Sequence, residues 1–447
     1  MQFRSFFAFC RLNVFLAGLV LLLATQSSFS QARPLAELYG EVEGYTSARG
    51  KELMATGKRI DASVRDEIAD EKKQLAAKYA AEVAARATLE KTDHYYLGML
   101  YLAAGSELKQ LESMRRFLAE FPPETKGDMI QAARSHVIIQ TSKRKQLEEA
   151  EAALALWRKG YPQMPTQQPA LQDHIATGYF KAGDYDNAVR HASEAFEMLK
   201  TFKAKSPRDK RDRETIYMNL VEILALSYRK SKNTDQALNV LAEARAQSFA
   251  IPSANLYRKV MDFVEGGGFS EKKLMQKVES YPAADPAPEM KFVEWLGEEP
   301  TTLNDLRGHI VLLDFWATWC GPCISTFPRL RNWHKKYVDS NFKLIGVTQY
   351  YGQQDGKRMS SLQELEFLKE FKQKYKLPYG FGIISPGEAS MKYGINLYPT
   401  TVLLDRNGVI RYIGIGSGPE ESENLEAMIE KVLKEDSSLA LANDRNK

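Results

Sequence analysis

The stretch Trp316-Ala317-Thr318-Trp319-Cys320-Gly321-Pro322-Cys323 constrains the local fold more than any other part of the chain. The run Ile310 to Phe315 ahead of it is apolar except for Asp314 and reads as a buried strand, and a helical pattern follows to about Val338. A cysteine where a strand ends and a helix begins lies in the partial positive charge and free N–H groups of the helix amino terminus. Both favour thiolate over thiol, and in such motifs a thiol pKa of about 8.5 falls toward about 7. Cys323 lies one turn further on, so the two sulfurs can close a small ring and open it again. Cys320 is expected to attack a disulfide, and Cys323 to resolve the mixed disulfide. Gly321 is expected to permit the tight turn. Pro322 fits the first helical turn, and Pro328 should kink the helix.

Three alternatives share part of this pattern. A CxxC can be half of a zinc site, but His309 and His334 lack the spacing of the other half. Heme attachment would need histidine where Ile324 stands. A peroxidatic cysteine would have threonine or serine at the position of Ala317.

The remaining cysteine bears on the choice. Arg4 and Arg11 precede an apolar stretch, Leu12 to Ala24, and Ser30-Gln31-Ala32 offers a cleavage site. Its 13 residues are short of the roughly 20 needed to span a membrane, so residues 1–32 read as a signal peptide, with an uncleaved anchor as the alternative. Cleavage removes Cys10 and leaves Cys320 and Cys323 as the whole complement. Disulfides persist in oxidising compartments, and a structural staple normally closes a long loop. A pair three positions apart staples almost nothing. An exported chain holding only this pair is expected to use it as a working dithiol, with no metal and no cofactor beyond the cysteines themselves.

A chain of 447 residues exceeds one compact core, so two or three domains are expected. From Pro34 to about Glu265 the pattern is helical, with Asp61 to Leu89 as one long amphipathic stretch. A weak repeat follows. Tyr179, Ala188, Ala192 and Ala195 stand at the offsets of a tetratricopeptide repeat around the turn Gly183-Asp184-Tyr185-Asp186, and Tyr228, Ala237, Leu241 and Ala244 repeat them. Leu97, Gly98, Tyr101 and Pro122 sketch an earlier unit, and another ends at Tyr161-Pro162. Small residues let paired helices approach, and each pair needs neighbours to cover its other face. A generic helical bundle is the alternative. His94, His136, His174 and His191 are scattered without ligand spacing. The basic stretch Lys200 to Arg213 is interrupted by Asp209 and Asp212 and reads as a solvated loop. With a net charge of only +4, nucleic acid is not an expected partner.

Gly266-Gly267-Gly268 stops the helical pattern, a short charged helix is expected to follow to Ser280, and Pro282, Pro286 and Pro288 mark a linker. The expected division is 1–32 signal, 33–265 helical region, 266–285 linker, 286–437 redox domain and 438–447 polar tail. Within the redox domain, strand-like Phe342 to Thr348, Phe381 to Ile384, Thr400 to Leu404 and Val409 to Ile415 alternate with helical Leu362 to Tyr375, Ala389 to Tyr393 and Ser422 to Lys434. The turn Asp405-Arg406-Asn407-Gly408 makes a hairpin of the last two strands. The pattern predicts a central mixed sheet with helices on both faces.

Residues from about Ala287 to Lys434 resemble the TlpA/ResA-like class of thioredoxin-fold thiol-disulfide oxidoreductases. The matching features are Ala287-Pro288-Glu289-Met290, Leu303 to Gly308, the WATWCGPC stretch and Tyr398-Pro399-Thr400 followed by Asp405 to Gly408. The resemblance implies a cis-proline at Pro399, preceded by Tyr398, that packs against the dithiol and presents a substrate backbone. It implies that Asp314 is the buried proton acceptor for the second cysteine, with a pKa raised toward neutrality, and that Trp316 and Trp319 flank and shield the dithiol. It differs from ResA-like reductases in carrying Thr326 where they have glutamate and Asp314 where they often have asparagine. The acid–base group therefore resembles that of thioredoxin. The expected function is an exported protein disulfide reductase, and a helical interaction module with a subordinate redox domain, or a peroxide-reducing redoxin, is the alternative. Expected partners are disulfide-bearing proteins, an electron donor such as a membrane thiol transporter, and a protein bound by the helical region.

Overall fold

The computed structural model describes residues 33–160, 167–278, 285–354 and 356–444. The expected signal peptide, the Tyr161-Pro162 ending and Pro282 lie outside them. The chain divides into two compact units, residues 1–141 with 148–161, and residues 142–147 with 162–447.

The first unit holds α1 (Leu35–Ala55), α2 (Ala62–Ala84), α3 (Asp93–Ala103), α4 (Glu107–Ala119), most of α5 (Gly127–Lys143) and α6 (Leu147–Lys159). Consecutive helices α1 to α4 pack on one another. The first three enclose a core of Leu38, Val42, Ala76, Ala80, Val83 and Leu100. Asp61 caps α2 by accepting the Val64 N–H at 3.0 Å.

The second unit opens with a helical array: α7 (Gln167–Ala182), α8 (Tyr185–Lys200), α9 (Pro207–Lys230), α10 (Thr234–Ala250), α11 (Ala254–Gly266) and α12 (Glu271–Val278). Asp184, Asn233 and Ser253 cap α8, α10 and α11 through their side chains. The turn between α7 and α8 passes through Gly183 at φ +84°, a conformation that glycine adopts without Cβ strain. Ala188, Ala192 and Ala195 are fully buried on α8, and Ala237 and Ala244 on α10, so the repeat-like alanines do line the helix contacts.

The basic stretch corrects the expectation of a solvated loop. Ser206 caps α9 and Pro207 begins it, so the stretch enters a helix. Helical period then carries Lys210, Arg213 and Tyr217 onto its buried face. The short helix expected after the glycines is α12, and helix continues beyond the expected start of the polar tail to Asp444.

The α/β part has six main strands: β1 (Phe292–Leu296), β2 (Ile310–Phe315), β3 (Phe342–Gln349), β6 (Gly380–Ile384), β7 (Thr400–Leu404) and β8 (Ile410–Ile415). A separate two-residue pair, β4 (Gln353–Gln354) and β5 (Lys357–Arg358), lies between β3 and the next helix. The mixed sheet has the order β1-β6-β3-β2-β7-β8. β2, β3 and β6 run parallel, while β1, β7 and β8 pair antiparallel with their neighbours.

Helices α13 (Gly321–Tyr337), α14 (Ser361–Lys374) and α16 (Pro419–Asp444) bury Phe327, Leu330, Leu368, Phe371, Leu425 and Ile429 on one face. The other face is covered by α15 (Glu388–Tyr393) and the segment around Leu303 and Leu306, and Ala254 of α11 joins that core. No described helix is long and apolar enough to cross a membrane.

Candidate active site

The pleat of β2 decides which side chains meet. Ile310, Leu312 and Trp316 belong to the core under α13, whereas Val311, Leu313 and Phe315 belong to the opposite one. By the same alternation Asp314 faces the α13 side, where Cys323 is buried. The strand ends at Phe315, and Cys320 then takes an extended conformation, φ −84° and ψ 95°, as the cap of α13. Its Sγ accepts the N–H of Cys323 at 3.2 Å and is bonded to the Cys323 sulfur. Cys320 is 5% exposed and Cys323 fully buried, so of the two only Cys320 reaches the surface.

Pro322 occupies the first turn of α13, where its missing N–H costs nothing, and Pro328 lies inside the helix. Gly321 differs from expectation. It has no positive φ, and a Cβ there would meet nothing within 4 Å. The turn is made without any need for glycine, whose effect is to leave the surface beside Cys320 bare.

Pro399 is brought to the same place by register. Antiparallel pairing sets Thr400 of β7 opposite Phe315 and Thr401 opposite Asp314, so the residue before Thr400 lies beside the strand end that leads into the dithiol. The Tyr398–Pro399 bond is cis, and the Pro399 carbonyl accepts the Gly416 N–H at 2.9 Å.

Asp314 is 1% exposed, and neither carboxylate oxygen has a hydrogen-bond partner among the described residues. Burial pushes its pKa from 3.8 to about 7, partly opposed by the positive charge of Arg329. Arg329 lies on α13, where its guanidinium donates to the Ser417 carbonyl at 3.2 Å and to the Ser422 hydroxyl. The Tyr379 phenol is pushed well above its ordinary pKa, by burial first and by Asp314 second.

An aromatic rim surrounds the outer sulfur's helix. Trp319 is 60% exposed and meets Tyr351 and Tyr398 edge-on, with ring centroids 5.6 and 6.0 Å apart. Glu364 holds the Tyr351 loop by accepting the N–H groups of Tyr351 at 2.6 Å and Gly352 at 2.9 Å. Trp316 does not belong to this rim. It is fully buried and packs against Phe327, Phe371 and Phe381, so it anchors the strand end from inside rather than shielding the dithiol.

Cys320, Cys323, Pro322, Trp319, Tyr398, Pro399 and Asp314 thus converge on one end of the sheet. Sequence reasoning missed Arg329, Tyr351 and Glu364. Arg329 stands two turns beyond Cys323, and its helical position was the available signal. For Glu364 there was none, since an acidic residue in a first helical turn is ordinary.

The Redoxin family profile matches residues 282–429. The thioredoxin-like protein YneN of Bacillus subtilis is 34% identical over 122 residues, 27% of this chain and 65% of its own length. The thiol-disulfide oxidoreductase ResA of Bacillus thuringiensis subsp. konkukian is 30% identical over 132 residues, 29% of this chain and 67% of its own. Among solved structures, StoA from Bacillus subtilis is 25% identical, with a TM-score of 0.26 over 33% of this chain and 99% of its own. Through its redoxin domain, the chain belongs to the ResA-like family of thioredoxin-fold thiol-disulfide oxidoreductases.

Proposed function

We propose that the protein is a protein disulfide reductase that works outside the cytoplasm, with Cys320 as nucleophile and Cys323 as resolving thiol. The observation that carries this reading is the placement of Cys320 at the cap of α13, with its bonded partner fully buried one turn along. In the reduced form the helix amino terminus stabilises the Cys320 thiolate. That thiolate attacks one sulfur of a substrate disulfide, and the other sulfur leaves as a thiolate. Cys323 then loses its proton to Asp314, attacks the Cys320 sulfur and expels the second substrate thiolate. The two substrate thiols gain the electron pair, and Cys320 and Cys323 become the disulfide seen here.

Trp319, Tyr398 and Pro399 are the residues against which a substrate backbone would lie, beside the bare Gly321. Turnover needs two electrons from a donor dithiol, for which a membrane thiol transporter is the fitting class. Export rests on residues 1–32. The helical pairs, read as tetratricopeptide-like, would recruit the substrate.

The chain beginning at residue 33, reduced with dithiothreitol and then freed of it, should reduce insulin stoichiometrically, and Cys323→Ser treated in the same way should accumulate a mixed disulfide on Cys320. Reduction that persists after Cys320→Ser, or the absence of any trapped species, refutes the assignment. Secretion is tested by the amino-terminal sequence of the protein recovered from the extracytoplasmic fraction.

A further inference from the structure

Glu364 stands in the first turn of α14 and is only 5% exposed. A carboxylate so buried is destabilising unless its oxygens are hydrogen-bonded. The backbone of another segment supplies the bonds. Oε1 accepts the Tyr351 N–H at 2.6 Å and Oε2 accepts the Gly352 N–H at 2.9 Å. Charge-assisted bonds to two successive amides fix a turn more firmly than neutral ones. Helix capping does not explain the residue. That task is filled by Ser360, whose side chain accepts the Gln363 N–H at 3.4 Å, and by Gln363, whose side chain accepts the Ser360 N–H at 2.9 Å.

The turn held in this way leads to the dithiol. Gly352 and Gln353 are exposed, so little packing secures them. Just beyond, the Gln354 side chain accepts the Thr318 hydroxyl at 3.2 Å, and Thr318 stands two residues before Cys320. The Tyr351 ring meets Trp319, the residue next to Cys320, and Trp319 in turn meets Tyr398, the residue before Pro399. Segment 351–354 therefore borders the surface beside Cys320, and the three rings join it to the loop that ends at Pro399.

We propose that Glu364 is a positioning residue for disulfide reduction, and that segment 351–354 is a wall along which a disulfide-bearing polypeptide lies while Cys320 attacks. The inference rests on the reductase reading and adds a substrate preference to it. An extended protein chain reaches from Cys320 to Tyr351 and Tyr398 and gains from a fixed wall. A small aromatic disulfide, which meets little beyond Cys320, does not. Glu364 itself acts only through the turn it holds.

The test uses the full chain, reduced with dithiothreitol and freed of it, and mixed with increasing insulin or with a small aromatic disulfide. Oxidation of its own dithiol is followed by tryptophan emission. Glu364→Gln keeps the size of the side chain but offers one acceptor oxygen to two N–H groups. It should raise the half-saturating insulin concentration about fivefold or more, with the limiting rate and the rate with the small disulfide each within about twofold of wild type. Tyr351→Ala should also raise the half-saturating concentration, and the double variant should exceed the larger single effect by no more than about twofold, because both changes act through one turn. Should Glu364→Gln fail to fold by circular dichroism, Glu364→Asp decides by the same comparison, since it withdraws the carboxylate by one methylene. Equal losses with both substrates, an unchanged half-saturation in a folded Glu364 variant, or additive effects in the double variant would overturn the inference and leave the reductase reading standing. A wild type that reduces no insulin would overturn both.

Discussion

Replacing Asp314 by asparagine removes a charge that the fold holds at a cost, and the cost has a pH signature. In the unfolded chain the carboxyl releases its proton near 3.8, while in the folded chain it keeps it to about 7. Between those values the folded state binds one more proton than the unfolded state. Its stability therefore falls as pH rises, by about 1.4 kcal/mol per unit. The contribution is present in full below 3.8, has gone above about 7, and amounts to about 4 kcal/mol across the window. An asparagine does not titrate and carries no such slope.

Urea unfolding of wild type and Asp314→Asn should give similar midpoints near pH 4. Near pH 8 the variant should be the more stable, by up to about 4 kcal/mol. Tryptophan emission reports mainly the right domain, since four of the five tryptophans, Trp295, Trp316, Trp319 and Trp333, lie in it and only Trp157 lies in the first unit. Arg329→Met, which removes the opposing charge, should extend the wild-type slope to higher pH. Insulin reduction by Asp314→Asn should drop by on the order of a hundredfold near pH 7, because the resolving thiol has lost its proton acceptor. A stability difference that is flat between pH 4 and pH 8 would refute the buried-carboxyl argument.

Two further outcomes follow from packing. In Asn255→Ala the chain loses the bond from Asn396, at 2.8 Å, which ties α11 to the loop that ends at Pro399, and the one to Glu214, also 2.8 Å, which braces Asn255 against α9. The KM for insulin should rise several-fold with kcat little changed, while the rate with a small aromatic disulfide stays within about twofold, and equal effects on both substrates would reject a role in presenting protein chains. Gly346→Ala places a Cβ 2.9 Å from Phe381 Cδ1 and 3.0 Å from Trp316 Nε1. This overpacking should cost about 1–3 kcal/mol in urea unfolding, and an unchanged midpoint would show that Trp316 can move.

Whatever depended on local pattern was legible in the sequence. The apolar run ahead of the dithiol became β2, the turn at Asp405 to Gly408 joined β7 to β8, and the capped alanine-rich segments became paired helices. Strand β1 was missed because it is an edge strand with little burial along Phe292 to Glu294, so it carries no clean alternation. Lys210 and Arg213 were misread because charge normally marks solvent, and only their later neighbours on α9 show that their face is inward. Trp316 and Trp319 look equivalent in sequence. A shift from a strand end to the residue before a helix cap is enough to bury one and expose the other. Asp314 could be read as buried from its strand, but the charge that opposes its shift stands fifteen residues away on α13 and depends on tertiary placement.

The Gly- and Pro-rich passage between the helical pattern and the strands marks a change in local structure, but packing crosses it. Ala254 is counted among the buried residues of the sheet's second face, with Phe249 and Tyr257 packed against it. The Asn255 N–H donates to the Gly394 carbonyl at 3.2 Å, Ser253 fills the space where a Cβ on Gly394 would lie, and Lys210 binds the Met391 carbonyl. The contacts to Met391 and Gly394 fall on α15 and on the loop from Gly394 to Pro399, which is the edge of the candidate site. A free thioredoxin-like domain would have to hold that loop with its own residues. Here α9 and α11 hold it, so truncation at the apparent linker would expose part of the sheet's core and release the loop beside the dithiol. The helical array is therefore structurally part of the dithiol end of the molecule.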